Sequence, residues 1–285
     1  MGLVKHAILV AGGLGTRMLP ASGAVAKEML PLFDIPAMTH LALEALQAGV
    51  ENIHIITSPK KDFSNYLEDK SWLLEKRPDI KNELLNPFSE IKVFVHTQEV
   101  PLGLGNAISQ ALDDIDGPFL VLLGDNLLID SHTTCKDFIP SNASKKLVQA
   151  YQESNIPCVG LFQVSDEEVS NYGVVDLEGD LIRRIVEKPT KEYAPTNNVL
   201  CGRYLFTEDT KELLERFSVE EYGELQSIEI QKHWMKGPGL RGVTLDGFQW
   251  YDSGAPLPWL KAQIDHALRR KDVSEELLDW IKNRI

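Results

Sequence analysis

A glycine-rich segment near the N-terminus carries the residue types best suited to phosphate chemistry. It has the sequence AGGLGTRMLP over residues 11–20, and KEMLP follows over residues 27–31. Glycines at the end of a strand let backbone N–H groups approach an anion without obstruction by side chains. Arg17 can hold a phosphate with a fork of donors, and Lys27 can act as a point charge. The segment is therefore suited to bind a polyphosphate.

Two better-known phosphate-binding patterns do not fit this segment. The dinucleotide-binding fingerprint G-x-G-x-x-G would require a glycine where the chain has Met18, and the P-loop pattern G-x-x-x-x-G-K-[ST] does not occur in the sequence. A tight strand-to-helix turn without any ligand is the remaining alternative. The two cations, together with Pro20 and Pro31, favour phosphate binding over such a turn.

A second polar position lies where a later apolar run ends. Gln98 follows the run IKVFVHT at 91–97, and the segment PLGLGNA occupies residues 101–107. A glutamine amide offers both a donor and an acceptor, which suits the edge of a uracil or thymine base. Gly103 and Gly105 would leave room for a flat base or a ribose. The alternative is a solvent-facing glutamine that precedes a helix cap.

An acidic residue ends another apolar run. The segment LLGDN at 122–126 places Asp125 at the end of a predicted strand. In open parallel sheets, ligands bind outside the carboxyl ends of the strands, and Mg²⁺ prefers hard oxygen donors such as carboxylates. Asp125 is therefore a candidate Mg²⁺ ligand. The alternative is a turn or N-cap aspartate in the Gly124-Asp125 pair.

The elements that would position these residues alternate between strand and helix in the first half of the chain. Short apolar runs predict strands at 6–10, 52–57, 91–97 and 118–125. Helical patterns lie between them at 36–48 and 104–114. Such alternation implies crossover connections and a mostly parallel sheet.

The second half of the chain has a different pattern. Strands with little helix between them are predicted at 158–164, 172–176, 181–189 and 199–206, which is typical of an antiparallel extension. Helical patterns follow at 208–217 and 225–236, with two amphipathic helices over 256–285. We therefore expect one domain over residues 1–285, with an α/β fold, a Rossmann-like mostly parallel central sheet, an antiparallel extension and C-terminal helices.

The bulk composition limits the classes of partner. The 285 residues carry a formal net charge of −13, which argues against a nucleic-acid partner. The three cysteines are far apart, so neither a disulfide framework nor a zinc site is expected. No apolar run approaches the ~20 residues needed to span a membrane, and the first apolar run is too short for a signal peptide. We expect a cytoplasmic protein with no membrane partner.

The long motif AGGLGTRMLPAS…AKEMLP resembles the signature of the sugar-nucleotide pyrophosphorylases. It is most similar to the bacterial UTP–glucose-1-phosphate uridylyltransferases, with the glucose-1-phosphate thymidylyltransferases as the nearest sister group. The similarity continues along most of the chain. The resemblance implies a central sheet of the nucleotide-diphospho-sugar transferase type. It also implies a nucleotide-binding half at about 1–130, a sugar-phosphate-binding half at about 131–255, and C-terminal helices at 256–285.

The resemblance assigns roles to a set of residues in this sequence. The expected nucleotide-binding residues are Ala11, Gly12, Gly13, Gly15, Thr16, Gln98, Gly103 and Gly105. The expected sugar-phosphate-binding residues are Tyr172, Gly173, Glu187, Lys188 and Gly202, and Asn197 and Asn198 are further candidates. Asp252, in the segment WYDSG, is expected to bind the metal together with Asp125. Arg17, Lys27 and Lys188 are expected to be catalytic.

The implied reaction is the in-line attack of a sugar 1-phosphate oxygen on the α-phosphorus of a nucleoside triphosphate. UTP and glucose 1-phosphate are the expected substrates, and Mg²⁺ is the expected cofactor. Because the attacking phosphate is already an anion, no general base is required, and catalysis would rest on positioning and charge neutralisation. The scattered histidines are expected to be structural. The resemblance also implies a homodimer or a homotetramer.

The chain departs from the uridylyltransferase pattern at several positions. Ser22 replaces the usual threonine, Ala26 replaces a proline, and Glu229 replaces an aspartate. The segment after Asp252 lacks the usual lysine. These departures leave dTTP or CTP open as the nucleotide and another hexose 1-phosphate as the sugar. An inactive sugar-nucleotide-binding regulator and a dehydrogenase are the alternatives from other classes. The intact acidic and basic residues argue against the former, and Met18 argues against the latter.

Overall fold

The computed structural model describes residues 3–284. Its strands are β1 (His6–Val10), β2 (Pro31–Leu32), β3 (Ile35–Pro36), β4 (Asn52–Thr57), β5 (Lys92–Thr97), β6 (Phe119–Leu123), β7 (Asn126–Ile129), β8 (Cys158–Gln163), β9 (Gly173–Glu178), β10 (Leu181–Glu187), β11 (Asn198–Phe206), β12 (Arg241–Thr244) and β13 (Gln249–Asp252). Its α-helices are α1 (Ala21–Ala24), α2 (Ala37–Gln47), α3 (Ser64–Leu67), α4 (Asn82–Leu85), α5 (Leu104–Ser109), α6 (Ala143–Ser154), α7 (Thr210–Arg216), α8 (Val219–Tyr222), α9 (Gln226–Lys236), α10 (Pro256–Arg269) and α11 (Ser274–Lys282).

Nine of the strands form one sheet in the order β5-β4-β1-β6-β11-β8-β12-β10-β9. The first four strands in this order run parallel, with β1 between β4 and β6. They are the four strands predicted in the first half of the sequence, so the Rossmann-like expectation is confirmed for this part of the sheet.

The other part of the sheet is largely antiparallel, as expected. β11 pairs antiparallel with β6 and β8, and β10 pairs antiparallel with β9 and β12. β12 departs from this pattern because it lies parallel to β8. The sheet is therefore mixed, and β11 joins its parallel part to its antiparallel part.

Several elements were missed by the sequence analysis. Helix α6 buries Leu147, Val148 and Tyr151 against the sheet, but its lysines and the polar segment before it hid the apolar periodicity. Strands β7, β12 and β13 have only four residues each, which is too short for an alternating pattern to be recognised. Two of these short strands, β7 and β13, pair with each other outside the main sheet.

Apolar side chains cover both faces of the main sheet. Leu9 of β1, Leu41 of α2 and Leu147 of α6 belong to the core on one face. Ile8 of β1 and Trp234 of α9 belong to the core on the other face. The alternation of Ile8 and Leu9 is that of a strand buried on both sides, which explains why β1 is a continuous apolar run in the sequence.

Hydrogen bonds join the three histidines that lie on the parallel strands. His6 Nδ1 lies 3.0 Å from His54 Nε2, and His54 Nδ1 lies 3.0 Å from His96 Nε2. His6 Nε2 lies 2.8 Å from a carboxylate oxygen of Asp116. These contacts are those expected of structural histidines.

The C-terminal helices are held to the body of the protein by a buried arginine. Arg270, at the end of α10, is 2% exposed and forms ion pairs with Asp34 and Asp272. Its guanidinium lies 4.5 Å from the centre of the Phe33 ring. Among residues 3–284, no helix is both long enough and apolar enough to cross a bilayer.

The ends of β1 and β6 determine where the first candidate residues lie. Val10 is paired with Leu123 in the parallel register, so the two strands end side by side. Gly124 N donates to Val10 O over 3.0 Å, and Ala11 N donates to Ile56 O over 2.8 Å. The glycine segment and the Gly124-Asp125 pair therefore begin next to each other at the carboxyl edge of the sheet.

Candidate active site

The glycine segment leaves β1 as an irregular loop and then forms a 3₁₀ turn at Thr16–Met18. Gly15 has a φ of +65°, a conformation that glycine adopts without strain. The Ser22 hydroxyl donates to Gly15 O over 2.7 Å and holds the returning chain against this turn. The turn places Arg17 on the side of the loop that faces Asp125 and Asp252.

Gln98 lies beside the start of the glycine segment. A Cβ atom on Gly12 would lie 2.8 Å from Gln98 Oε1, so only glycine allows this approach. Gln98 is 5% exposed, and its Nε2 donates to Asn106 Oδ1 over 2.8 Å and to Gly103 O over 3.2 Å. Gln98 therefore lies between the first glycine segment and the second one.

The glycines at positions 103 and 105 allow close packing of α5. Gly103 has a φ of +97°, and a Cβ there would lie 2.7 Å from the Cα of Glu224. A Cβ on Gly105 would lie 3.0 Å from Leu214 Cδ2 and 2.9 Å from the amide carbon of Gln226. The structure therefore gives these glycines a packing function, which the sequence analysis did not anticipate.

The pairing of β7 with β13 brings the two predicted metal ligands together. Asn126 is directly opposite Asp252 in this antiparallel ladder. Ser253 donates to the carbonyl oxygen of Asp125 through its N–H at 2.8 Å and through its hydroxyl at 3.0 Å. Two aspartates that are remote in sequence are therefore neighbours in the fold.

Gly254 marks the space that the two carboxylates share. A Cβ on this glycine would lie 3.1 Å from Asp252 Oδ1, 3.2 Å from Asp125 Oδ2 and 3.1 Å from Arg17 Nη2. Its N–H also donates to Asp252 Oδ1 over 2.9 Å. Any larger side chain at this position would fill the space between the guanidinium and the carboxylates.

Lys27 is paired directly with Asp125. Its Nζ lies 2.5 Å from Asp125 Oδ2. Burial acts to raise the pKa of the Asp125 carboxyl, but the Lys27 ammonium and the Arg17 guanidinium outweigh it and hold that pKa below its ordinary value. Asp125 is therefore an anion at neutral pH and can bind a cation.

A second ion pair lies beneath the glycine segment. Glu28 is 1% exposed, and Lys61 donates to its Oε2 over 2.7 Å and to Ala11 O over 2.6 Å. Burial raises the pKa of Glu28 and lowers that of Lys61, and each group opposes the shift of the other. Glu28 Oε1 is buried without a hydrogen-bond partner among the described residues.

Two aromatic side chains, Tyr172 and Trp250, pack against each other close to Asp252. The ring of Tyr172 lies 4.8 Å from that of Trp250, measured between centroids. Burial and the neighbouring Asp252 carboxylate raise the pKa of the Tyr172 hydroxyl to about 12, so this hydroxyl is neutral and can donate. Trp250 Nε1 donates to Asn126 Oδ1 over 2.8 Å, and Asn126 Nδ2 donates to Asp125 Oδ1 over 2.9 Å.

The EKP segment lies at the end of β10. Glu187 is opposite Gly173 in the ladder with β9, and a Cβ on Gly173 would lie 3.1 Å from Glu187 Oε2. Lys188 has a φ of +44° and donates its N–H to Tyr172 O over 3.0 Å. Its Nζ is 3.7 Å from Glu187 Oε1 and is largely exposed to solvent. The backbone turn directs both side chains toward the same cleft.

A cavity of about 1140 Å³ joins these groups. The predicted residues that line it are Arg17, Asp125, Tyr172, Gly173, Glu187, Lys188, Gly202 and Asp252. Lys27 and the predicted residues of the two glycine segments do not line it; the latter are Ala11, Gly12, Gly13, Gly15, Thr16, Gln98, Gly103 and Gly105. Asn197 and Asn198 are outside the lining, and the Asn197 amide instead donates to Val164 O over 3.0 Å.

The sequence model of the nucleotidyl transferase family matches residues 6–267. This chain belongs to the nucleotidyl transferase family. It is 33% identical to a UTP–glucose-1-phosphate uridylyltransferase of Streptococcus pyogenes, with 99% of this chain and 94% of that protein covered. It is 32% identical to a second such enzyme, from Staphylococcus saprophyticus, with 99% and 98% covered. The resemblance inferred from the motifs is therefore confirmed.

Solved structures give the same result for the fold of this nucleotidyl transferase. A UDP-glucose pyrophosphorylase from Acinetobacter baumannii superposes with a TM-score of 0.83 at 29% identity, covering 99% of this chain and 100% of that one. A UDP-glucose pyrophosphorylase solved in complex with UDP-glucose superposes with a TM-score of 0.77 at 28% identity, covering 92% and 98%.

The sequence analysis of this nucleotidyl transferase missed four residues that shape the site. Gly254 provides the space between the carboxylates, and Asn126 and Trp250 fix the Asp125 side chain. Lys61 supports the backbone at the start of the glycine segment. Gly254 and Trp250 belong to the WYDSG motif that was noted for Asp252 alone, so that motif was the available signal. Lys61 has no comparable signal in the sequence.

The donor set at Gly254 fits a hard divalent cation. In the part of the chain that the structure describes, no group of three or more His, Cys, Asp or Glu side chains is arranged to hold a metal. Two carboxylates meet at the space next to Gly254. Mg²⁺ in phosphate-processing sites commonly binds one or two carboxylates and completes its shell with substrate phosphates and water. Asp125 and Asp252 match that pattern.

Proposed function

We propose that this nucleotidyl transferase transfers the uridylyl group of UTP to glucose 1-phosphate, giving UDP-glucose and pyrophosphate. One observation carries the proposal: Arg17, Asp125 and Asp252 surround one small space at the end of a cleft that continues to Glu187 and Lys188. The names of the relatives support UTP and glucose 1-phosphate as the substrates. A relative from Acinetobacter baumannii has also been solved with UTP bound.

Mg²⁺ is the proposed cofactor, and Asp125 and Asp252 are its proposed protein ligands. When bound, the ion would neutralise the charge of the triphosphate and of the pyrophosphate that leaves. The low pKa of Asp125 supports this role because the carboxylate stays ionised at neutral pH. Asn126 would keep the Asp125 carboxylate oriented, since Asn126 Nδ2 donates a hydrogen bond to Asp125 Oδ1.

The proposed mechanism relies on charge and orientation. Arg17 would bind the phosphates next to the α-phosphorus, and Lys27 would stabilise the charge that develops on the leaving pyrophosphate. The backbone of residues 11–16 would approach the triphosphate, with Gln98 beside the base. Lys188 would hold the attacking phosphate, and Glu187 would accept hydrogen bonds from sugar hydroxyls. The sugar phosphate is already an anion, so no residue has to remove a proton from it.

The proposal divides the work of one domain between two parts of the chain. Residues 1–130 would bind the nucleotide, and residues 131–255 would bind the sugar phosphate. The aromatic contact between Tyr172 and Trp250 supports a sugar-binding wall on the second part, because sugar rings bind well to flat apolar surfaces.

We also propose a cytoplasmic protein that forms a homodimer or a homotetramer. The three cysteines are unpaired, which supports a reducing compartment. Leu257, Leu260 and Ile264 are exposed on α10 at helical spacing, which supports self-association through that helix. Light scattering of the purified protein measures the assembly directly, and a monomer at all concentrations would contradict it.

A coupled assay of pyrophosphate release tests the proposed function. UTP, dTTP, CTP and ATP are each combined with glucose 1-phosphate and with other hexose 1-phosphates, with and without Mg²⁺. The proposal expects the largest kcat/KM for UTP with glucose 1-phosphate and no turnover without Mg²⁺. The absence of pyrophosphate release with every pair would contradict it, and binding without turnover would favour an inactive sugar-nucleotide-binding protein.

A further inference from the structure

The carboxamide of Gln98 is fixed in one orientation. Its Nε2 carries two hydrogens, and these are directed to Gly103 O at 3.2 Å and to Asn106 Oδ1 at 2.8 Å. In the described part of the chain, no donor is bonded to Gln98 Oε1, and this oxygen faces Gly12. Gln98 therefore presents only an acceptor toward the glycine segment, although a free glutamine offers both a donor and an acceptor.

The orientation follows from the backbone. Gly103 O is a carbonyl and can only accept a hydrogen bond, so a reversed Gln98 amide would place two oxygens against each other. Asn106 then has to present its own oxygen to Gln98, since its amide nitrogen would meet a second donor. Both hydrogens of Nε2 are thereby satisfied, which matters because the Gln98 side chain is 5% exposed.

We propose that Asn106 is a positioning residue that makes the site select a base with an N–H donor on its pairing edge. The inference rests on the proposed function and refines its choice of nucleotide. Asn106 holds Gln98 so that Oε1 alone meets the base. Uracil and thymine present N3–H to such an acceptor, whereas cytosine presents the lone pair of its N3. The site therefore accepts UTP or dTTP and rejects CTP.

The size of this effect follows from the cost of a mismatched polar contact. A buried acceptor that loses its donor, or faces another lone pair, reduces binding by a factor on the order of ten to one hundred. Sites built around a hydrogen bond discriminate more strongly than apolar pockets, because the wrong ligand leaves a polar group unpaired. The fixed orientation that Asn106 imposes is essential. A glutamine free to rotate could present its oxygen to uracil or its amide nitrogen to cytosine, and would not discriminate between the two bases.

Two substitutions at position 106 distinguish a residue that orients the Gln98 amide from one that only stabilises the local structure. Asn106→Leu removes the acceptor for Gln98 Nε2, whereas Asn106→Asp keeps an oxygen there. Gln110→Leu is the matched control, since Gln110 is an exposed carboxamide on the turn after α5 whose amide donates to Ser109 Oγ and to the carbonyl oxygen of Asn106. The readout is the ratio of kcat/KM for UTP to that for CTP, with kcat and KM reported separately.

The wild-type protein is expected to prefer UTP over CTP by about 10²-fold. Asn106→Leu is expected to reduce that ratio by about tenfold through a higher KM for UTP, while Asn106→Asp and Gln110→Leu keep it. A wild-type protein that uses CTP as well as UTP would overturn the inference. An unchanged ratio in Asn106→Leu would also overturn the inference. A purely structural defect would lower kcat/KM for UTP and for CTP by the same factor and leave their ratio unchanged.

A binding measurement on the wild-type protein tests the inference even if the Asn106 variants do not fold or the protein shows no turnover. Calorimetric titration of the wild-type protein compares UTP, 3-methyl-UTP and CTP in the presence of Mg²⁺. The inference expects 3-methyl-UTP and CTP to bind at least about tenfold more weakly than UTP, since both lack N3–H. Equal binding of the three contradicts the inference. Selective binding without pyrophosphate release contradicts the proposed function but leaves the inference standing.

Discussion

Lys27 Nζ lies 2.5 Å from Asp125 Oδ2, so the lysine assigned to the triphosphate already contacts the aspartate assigned to the metal. The pair fixes both groups in the protein before any substrate is present. A cation entering beside Asp125 would weaken the attraction between them and leave the Lys27 ammonium available to a phosphate oxygen. The arrangement links the metal site to the nucleotide site through a single contact.

Loss of the Lys27 charge should therefore lower turnover severely. Lys27→Met and Asp125→Ala are each expected to reduce kcat by at least ~10²-fold, the scale seen when one electrostatic stabiliser is removed. Lys60→Met, which neutralises an exposed lysine, is the matched control and should retain wild-type turnover. Near-normal kcat in both site variants would reject the roles given to these residues.

Gly254→Ala should disable the site without unfolding the protein. The added methyl group would occupy the space between Arg17 Nη2 and the carboxylates of Asp125 and Asp252. We expect the affinity for Mg²⁺ and UTP together to fall at least about tenfold, measured by calorimetric titration. Gly23→Ala is the control, because its Cβ would meet only Leu19 Cδ2 at 3.6 Å. Equal affinities of the two variants would contradict the assignment.

The buried ion pair between Arg203 and Glu44 should support the fold. Arg203 is 1% exposed and donates to Glu44 from Nε at 2.7 Å and from Nη2 at 2.9 Å. Arg203→Met alone should destabilise the protein by about 3–5 kcal/mol, because the Glu44 charge is left buried and unpaired.

Urea unfolding of a second variant distinguishes the buried charge from lost packing. The double change Arg203→Met with Glu44→Leu removes both charges and should recover part of the lost free energy of unfolding. The recovery should be incomplete because the Ser144 N–H and hydroxyl also donate to Glu44 Oε1. A double variant less stable than Arg203→Met would show that the buried charge is not the cause.

His40 should make the protein sensitive to acid. Burial, followed by the nearby His266 and Arg270, lowers the pKa of His40 from 6.5 to about 3. Between these two values the unfolded chain binds a proton that the folded protein does not, so the free energy of unfolding falls as the pH falls. The slope from this group is about 1.4 kcal/mol per pH unit.

Replacement of His40 isolates its contribution to that slope. His40 Nε2 is buried without a hydrogen-bond partner in the described structure, so His40→Leu leaves no partner unsatisfied. Its free energy of unfolding between about pH 4 and 5.5 should depend on pH less steeply than that of the wild type, by about 1.4 kcal/mol per unit. Parallel curves for the two proteins would rule out His40 as the cause.

Local sequence patterns predicted eight of the nine strands of the main sheet, because most of these strands are rich in apolar residues. Strands β1 and β4 were predicted with the bounds they have, since both are buried on two faces and end at polar or glycine residues. Helix α6 was missed because its buried residues, including Leu147 and Tyr151, are separated by lysines and glutamine. Strand β12 was missed because four residues cannot establish a period.

The candidate site was predictable in its residue types but not in its contacts. The glycine segment with Arg17 and Lys27 indicated phosphate chemistry from the residues alone. The proximity of Asp125 and Asp252 depends on the pairing of β7 with β13, which is a long-range contact with no local signal. The orientation of Gln98 depends likewise on a backbone carbonyl five residues later, Gly103 O, and on the Asn106 side chain.

The fate of the individual phosphorus atoms of UTP tests the central claim most directly. UTP labelled at the α-phosphorus and UTP labelled at the γ-phosphorus are incubated separately with the protein, glucose 1-phosphate and Mg²⁺, and the products are separated by chromatography. The account predicts that the α label appears in a sugar nucleotide and the γ label in pyrophosphate, and that neither product forms without the sugar phosphate. Release of the γ label as inorganic phosphate, or its transfer to the sugar, would contradict uridylyl transfer.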